Sequence, residues 1–355
     1  MLRLPYGISN FETLVNKGAY YVDRTAYIER LENLSEQYIF FFRPRRFGKS
    51  LWISVLQHYY GLEHKDKFET LFGKYYIGQP PTPLANSYMV LQFDFSGIDT
   101  DQPELSYQGF VERIKYAFQQ FFSTYTAFSE KDIEYILAVQ VPGILLGRLM
   151  SLLRKYYKSE KIYLLIDEYD HFTNELMAFR LQEFKDAVGS SGYVRTFYEV
   201  IKIATHSGVV DRFFATGVAP VTLDSLSSGF NIGTNISLKP HFNEMMGFTE
   251  AEVANILEGI KISSSEIAGM MSEIRTWYNG YLFHYKGQDR MYNSDMVLYF
   301  AKECQQGQDY PQNLLDTNIS SDYSKIGQLF RLGGEEKKDG SCCKNCWMRK
   351  GFQLN

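Results

Sequence analysis

Glycine, lysine and serine at positions 48–50 have the chemistry to hold a chain of phosphates. Glycine lets the backbone close on an anion, so that successive N–H groups face one concavity. Lys49 would reach the outer phosphates. The Ser50 hydroxyl would ligate Mg²⁺ where a helix begins, with the positive end of that helix turned to the anion. The usual spacing, G-x-x-x-x-G-K-[ST], asks for glycine at position 43, where this chain has Arg43 followed by Pro44, which has no N–H to donate. The loop entry must then differ in shape or bind more weakly. Arg43, Arg45 and Arg46 become candidate side-chain ligands for phosphate, and Phe47, Gly48, Lys49, Ser50 and Leu51 complete the expected nucleotide-binding set. The plainer alternatives for the three arginines are a solvated basic turn or a patch against a nucleic-acid backbone.

A second group of chemically able residues ends an apolar run, Ile162-Tyr-Leu-Leu-Ile166, in Asp167-Glu168. Asp167 would orient Mg²⁺, usually through its water, and Glu168 would polarise an attacking water. A cation site next to a base suits phosphoryl transfer, which needs positioning and charge neutralisation. Taken alone, the pair could equally cap a strand and face solvent. Following a Lys49 loop in the right order, it reads as the acidic half of one site. Asp170 is either a further residue around the metal or a turn residue. Thr216, near the end of Arg212-Phe-Phe-Ala-Thr-Gly217, fits a hydroxyl that contacts the terminal phosphate or the attacking water, with a strand-end turn as the alternative.

These residues need a strand, a loop and a helix to position them. Gln37–Phe42 reads as a buried strand, and Leu51, Val55, Leu56 and Tyr59 recur at helical spacing over Ser50–Tyr60. After the breaker segment Gly78–Pro83 come a strand over Tyr88–Phe95, helices over Phe110–Phe122 and Ile144–Tyr157, and the strand Ile162–Ile166. A helix over Val194–His206, the strand Arg212–Gly217 and a short fifth strand near Ile236–Leu238 follow. Strands alternating with helices predict crossover units and a mainly parallel sheet covered on both faces, an α/β fold. Beyond about Pro240 helices dominate: one opened by a capping box at Thr249-Glu-Ala-Glu252, then Ser263–Tyr278 and Ser294–Glu303. The expected domains are 1–240, a smaller helical lid-like domain over 241–332, and an irregular tail over 333–355.

The 355 residues carry a net charge of −4, so any contact with nucleic acid would have to be local. The N-terminus lacks the apolar stretch of a secretion signal, and Val141–Leu153 is interrupted by Arg148 and too short to span a bilayer. A cytoplasmic protein without a membrane partner is the expectation. The four cysteines, Cys304, Cys342, Cys343 and Cys346, all lie late in the chain and give the main fold no disulfide framework. Three close thiols without a nearby histidine make an incomplete zinc set. The six histidines read as surface or satisfied core residues. Trp277–Tyr281 reads as a helix end with Gly280 as its cap, and Arg275 as a surface residue or one that reaches the terminal phosphate.

Several stretches together resemble the AAA-ATPase-like proteins of gut anaerobic bacteria. They are Leu4–Phe11, Tyr21–Thr25 with Ile28, Arg43–Leu51, Leu165–Asp170, Gly247–Glu250, Trp277–Tyr281 and Tyr292-Asn293. The Arg-Pro-Arg-Arg-Phe-Gly-Lys-Ser block is the most specific, and it makes the missing first glycine a family trait. The resemblance implies an AAA-like P-loop NTPase fold, ATP and Mg²⁺ as ligands, and ATP hydrolysis in a nucleotide switch. The rival function is a nucleotide-dependent binding module for a protein or nucleic acid, with little turnover. Such proteins commonly carry a C-terminal nuclease-like domain, which this chain is expected to lack through truncation or frameshift.

Overall fold

A computed structural model describes residues 2–157, 159–226, 229–278, 280–284 and 289–307. The expected tail over 333–355, with Cys342, Cys343 and Cys346, lies outside the described residues, as does the end of the expected helical domain. The described chain divides into two compact units. One takes residues 25–44 and 53–236; the other takes the stretch up to Arg24, Arg45–Trp52, and the chain from Ser237 on.

The first unit is built on five parallel strands: β1 (Tyr38–Phe42), β2 (Tyr88–Asp94), β3 (Lys161–Asp167), β4 (Val210–Gly217) and β5 (Thr234–Asn235). Their order is β2-β3-β4-β1-β5. The central strands are near-continuous Phe, Leu, Ile and Tyr runs because helices cover both faces, which removes the polar alternation of a half-exposed sheet. The fifth strand falls just ahead of the expected Ile236–Leu238. The ladder still reaches Ile236, whose N–H donates to Phe40 O at 3.0 Å, so the difference is one of strand ends.

The covering helices run longer than their apolar periodicity suggested. Phe110–Phe122 proves to be the interior of Pro103–Thr124, while the helix expected over Ile144–Tyr157 begins two residues earlier and ends one earlier, at Pro142–Tyr156. In both, proline opens the first turn, where its missing N–H costs nothing and its fixed φ suits a helix. Phe110, Ile114, Ala117, Phe118 and Phe121 form the buried stripe of the first helix and join Leu91, Phe93, Leu164 and Phe213 in one core. Among the described residues no helix is long and apolar enough to cross a membrane.

The second unit packs Val253, Ile256, Leu257, Ile267, Met270, Ile274 and Phe300 into its own core, from helices Glu250–Gly259, Ser264–Tyr278 and Ser294–Gly307. The N-terminal stretch belongs here rather than with the sheet. Leu2, Leu4, Tyr20 and Val22 lie against this core, and Leu2 N donates to Gly259 O at 3.2 Å. The capping box at Thr249 forms as expected: Thr249 N donates to Glu252 Oε2 at 2.8 Å, and Glu252 N to Thr249 Oγ1 at 3.3 Å. Arg24 then grips the same glutamate with two N–H groups, at 2.7 and 2.6 Å, and donates to Gly247 O at 3.1 Å. Thr249→Ala is expected to lower the stability of this unit by about 1 kcal/mol, the usual loss for an N-cap, read as a shift of the urea midpoint.

Candidate functional site

At the carboxyl edge of the sheet the register sets Phe41 beside Thr216 and Phe42 beside Gly217. On the other side of β4, Ile166 lies beside Ala215, and one strand further out Asp94 pairs with Asp167. β4 therefore runs between the strand that leads into residues 43–50 and the strand that ends in Asp167. Asp167 is buried, and its carboxylate Oδ1 accepts from Glu168 N at 3.0 Å. Thr216 is 0 % exposed, and its hydroxyl has no hydrogen-bond partner among the described residues. A buried hydroxyl left this way costs about 1–3 kcal/mol, which a ligand oxygen or a water would recover.

The run Asp167-Glu-Tyr-Asp170 divides its labour by residue. Tyr169 N donates to Thr216 O at 3.0 Å, its ring stacks on Phe42 at 5.2 Å, and its hydroxyl donates to Ala219 O at 2.6 Å. Asp170 is fully buried; it accepts from Val218 N at 3.1 Å, Ala219 N at 2.7 Å and Asn174 Nδ2 at 2.7 Å. Burial holds its carboxyl above the ordinary aspartate range, against the pull of those donors. Of the two roles open to Asp170, these bonds are those of a turn anchor. With Tyr169 and Asp170 pinned, Glu168 is left in the left-handed region, φ 50°, which residues other than glycine adopt at a cost. Its Oε2 lies 3.7 Å from His171 Nδ1. Gly217 is required opposite: a Cβ there would come within 2.2 Å of Asp170 Oδ1 and 2.5 Å of the Tyr169 ring.

Arg43, a candidate side-chain ligand for phosphate from its sequence, is not the solvated turn residue of the plainer alternative. It is 1 % exposed, its guanidinium lies 4.1 Å over the Phe41 ring, and Nη1 donates to Phe42 O at 2.9 Å. Burial lowers it to about 9. Its own N–H continues the ladder to Gly217 O at 3.1 Å. Proline at position 44 thus follows the last residue whose N–H the sheet needs.

Residues 45–52 are held within the helical unit. Phe47 is buried edge-on against Tyr281 and Phe283, at 5.1 and 5.5 Å, and Gly247, φ 94°, leaves no room for a Cβ beside it. Arg46, φ 66°, pairs with Asp295 at 2.9 Å. Asn293 Nδ2 donates to Arg45 O at 2.9 Å. Gly48 has φ 87°, the conformation for which glycine is suited, and its carbonyl accepts from Trp52 N at 3.0 Å. Lys49 is buried, Leu51 half-buried and Ser50 exposed on the first turn of the helix Lys49–Tyr60. The Arg275 guanidinium forms an exposed ion pair with Glu250, as a surface residue does.

Sequence reasoning missed Tyr169, Gly217, Asn293 and Asp295 as supports of these elements. The aromatic stretch near Trp277 and the Tyr292-Asn293 pair carried the available signal; Tyr281 packs on Phe47 and Asn293 holds Arg45 O, so they do more than end a helix.

A family model described as "Predicted AAA-ATPase" matches residues 5–227. A protein of Azotobacter chroococcum mcd 1, described as an uncharacterized protein in the vnfD 5' region, is 27% identical over 320 residues. The match covers 84% of this chain and 52% of that relative, so the chain spans about half of the relative's length.

Proposed function

The chain belongs to the predicted AAA-ATPase family, and from that premise we propose that it binds ATP with Mg²⁺ and hydrolyses it slowly as a nucleotide switch. The observation that carries the reading is the buried Thr216 hydroxyl, which lacks a partner among the described residues. It sits on the strand between β1 and β3, at the edge where one strand leads into a Gly-Lys-Ser loop and the other ends in Asp-Glu.

In this reading the N–H groups of residues 46–50 and the Lys49 ammonium take the β- and γ-phosphates, with Arg45, Phe47 and Leu51 shaping the loop. The donor set suits Mg²⁺: Ser50 offers an exposed hydroxyl and Asp167 a carboxylate, the hard oxygen ligands that this ion prefers. Bound there, Mg²⁺ would neutralise charge developing on the phosphates. Glu168 takes a proton from the attacking water, and Thr216 donates to the terminal phosphate or orients that water. Arg43, packed on Phe41, acts as a support for the loop rather than as a ligand. With Arg43 inward and Arg46 paired to Asp295, the basic run also makes a poor nucleic-acid patch, which weighs against that partner.

Titration calorimetry with ATP and Mg²⁺ tests the reading. The parent is expected to give saturable one-site binding, and Lys49→Ala at least tenfold weaker binding, about 1.4 kcal/mol. A parent that gives no heat and no protection from ATP would sink it.

A further inference from the structure

Two consecutive carbonyls of the phosphate loop are held from one side. Arg45 O accepts from Asn293 Nδ2 at 2.9 Å, and Arg46 O accepts from Asp295 N at 3.3 Å. The Arg46 side chain returns to Asp295 Oδ2 at 2.9 Å. In a trans peptide the N–H points opposite to the C=O that shares its plane. Holding the carbonyls of Arg45 and Arg46 towards residues 293–295 therefore turns the N–H groups of Arg46 and Phe47 the other way. Those are the groups that a phosphate-binding concavity needs to present.

Asn293 has a second task. Its Oδ1 accepts from Asp295 N at 3.1 Å and Met296 N at 3.3 Å, capping the helix Ser294–Gly307. The residue is buried, so both ends of its amide work inside the protein. One side chain thus fixes the loop peptide with its NH₂ and starts the helix with its oxygen.

We propose that Asn293 is the positioning residue of the phosphate loop, and that through it the occupancy of the loop is coupled to the first turn of the helix Ser294–Gly307. The coupling rests on the reading of residues 45–51 as a nucleotide loop; the positioning does not. Linkage makes the coupling reciprocal: a phosphate that favours the held loop favours the capped helix by the same factor.

Asn293→Asp and Asn293→Ser separate the two tasks. Both residues cap a helix about as well as asparagine, and neither brings the amide donor to Arg45 O. Asn293→Ala removes both tasks. Amide hydrogen exchange on the full chain reads each end. All three variants are expected to exchange the amides of Phe47 to Lys49 roughly tenfold faster, the worth of one hydrogen bond. Met296 should stay protected in Asn293→Asp or Asn293→Ser and lose protection only in Asn293→Ala. ADP with Mg²⁺ should slow exchange at both Phe47–Lys49 and Met296 in the parent, but only at the loop in the capping variants. Loop exchange at the parent rate in whichever capping variant folds overturns the positioning. ADP protection that reaches Met296 without the Asn293 amide overturns the coupling. A parent whose loop ignores ADP overturns the coupling and the nucleotide reading together, while the loop rates of the variants still decide the positioning.

Discussion

Glu168→Gln leaves ATP affinity within about twofold of the parent and lowers phosphate release by about 10²–10⁴-fold, the span expected when a general base is removed. The substitution is well placed to separate binding from chemistry. Glutamine keeps the volume and can hold the same left-handed backbone at φ 50°, since Tyr169 and Asp170 hold that turn through bonds of their own. The hydrogen bond from the position 168 N–H to Asp167 Oδ1 also survives, so the proposed metal carboxylate keeps its orientation. What glutamine loses is the capacity to take a proton. Binding measured by calorimetry and turnover measured as inorganic phosphate should therefore diverge. If the variant releases phosphate as the parent does, Glu168 is not the base. If the parent itself releases none above the Lys49→Ala background, the chain is a nucleotide-gated binding module, the rival to a hydrolytic switch.

The sequence shows the pieces of this site more clearly than their supports, for a physical reason. A buried parallel strand is a continuous apolar run, so Ile162–Ile166 ending in Asp-Glu is visible without any partner. The placement of β4 between β1 and β3 is not visible in that way, because parallel neighbours pair across long connections and leave no local periodicity. The six-residue helix Phe11–Asn16 is too short to show an amphipathic period. Arg43 misleads because arginine is usually exposed; only the fold supplies the Phe41 ring and the Phe42 carbonyl that make burial tolerable. Asn293 hides for the opposite reason. Its capping role is local to Ser294–Gly307, but its bond to Arg45 spans some 248 residues, a distance over which pattern reasoning has no purchase. The grouping of Arg45–Trp52 with Ser237 onward follows from that same kind of bond, which is why a single cut near 240 does not describe the chain.

Asp170→Ala should destabilise the sheet unit by about 2–4 kcal/mol, because it removes a fully buried acceptor from two part-buried backbone N–H groups at once, and each one left unpaired costs about 1–3 kcal/mol. Those groups belong to Val218 and Ala219, so the loss falls on the turn that follows Thr216 and Gly217. The change also opens space beside Gly217, whose missing side chain is what lets the carboxylate approach. Asp170→Asn keeps the volume and separates the charge from the packing. Burial raises the Asp170 pKa above the ordinary aspartate value of 3.8, so the folded chain holds this proton to higher pH than the unfolded chain does. In that window the native state binds more protons, and the stability contributed by this group falls as pH rises through the folded value. Urea midpoints measured from pH 4 upward should show that decline in the parent and not in Asp170→Asn. An equal pH slope in both proteins would mean that the carboxylate titrates alike folded and unfolded, and its three donors would then have to be compensating fully for its removal from water.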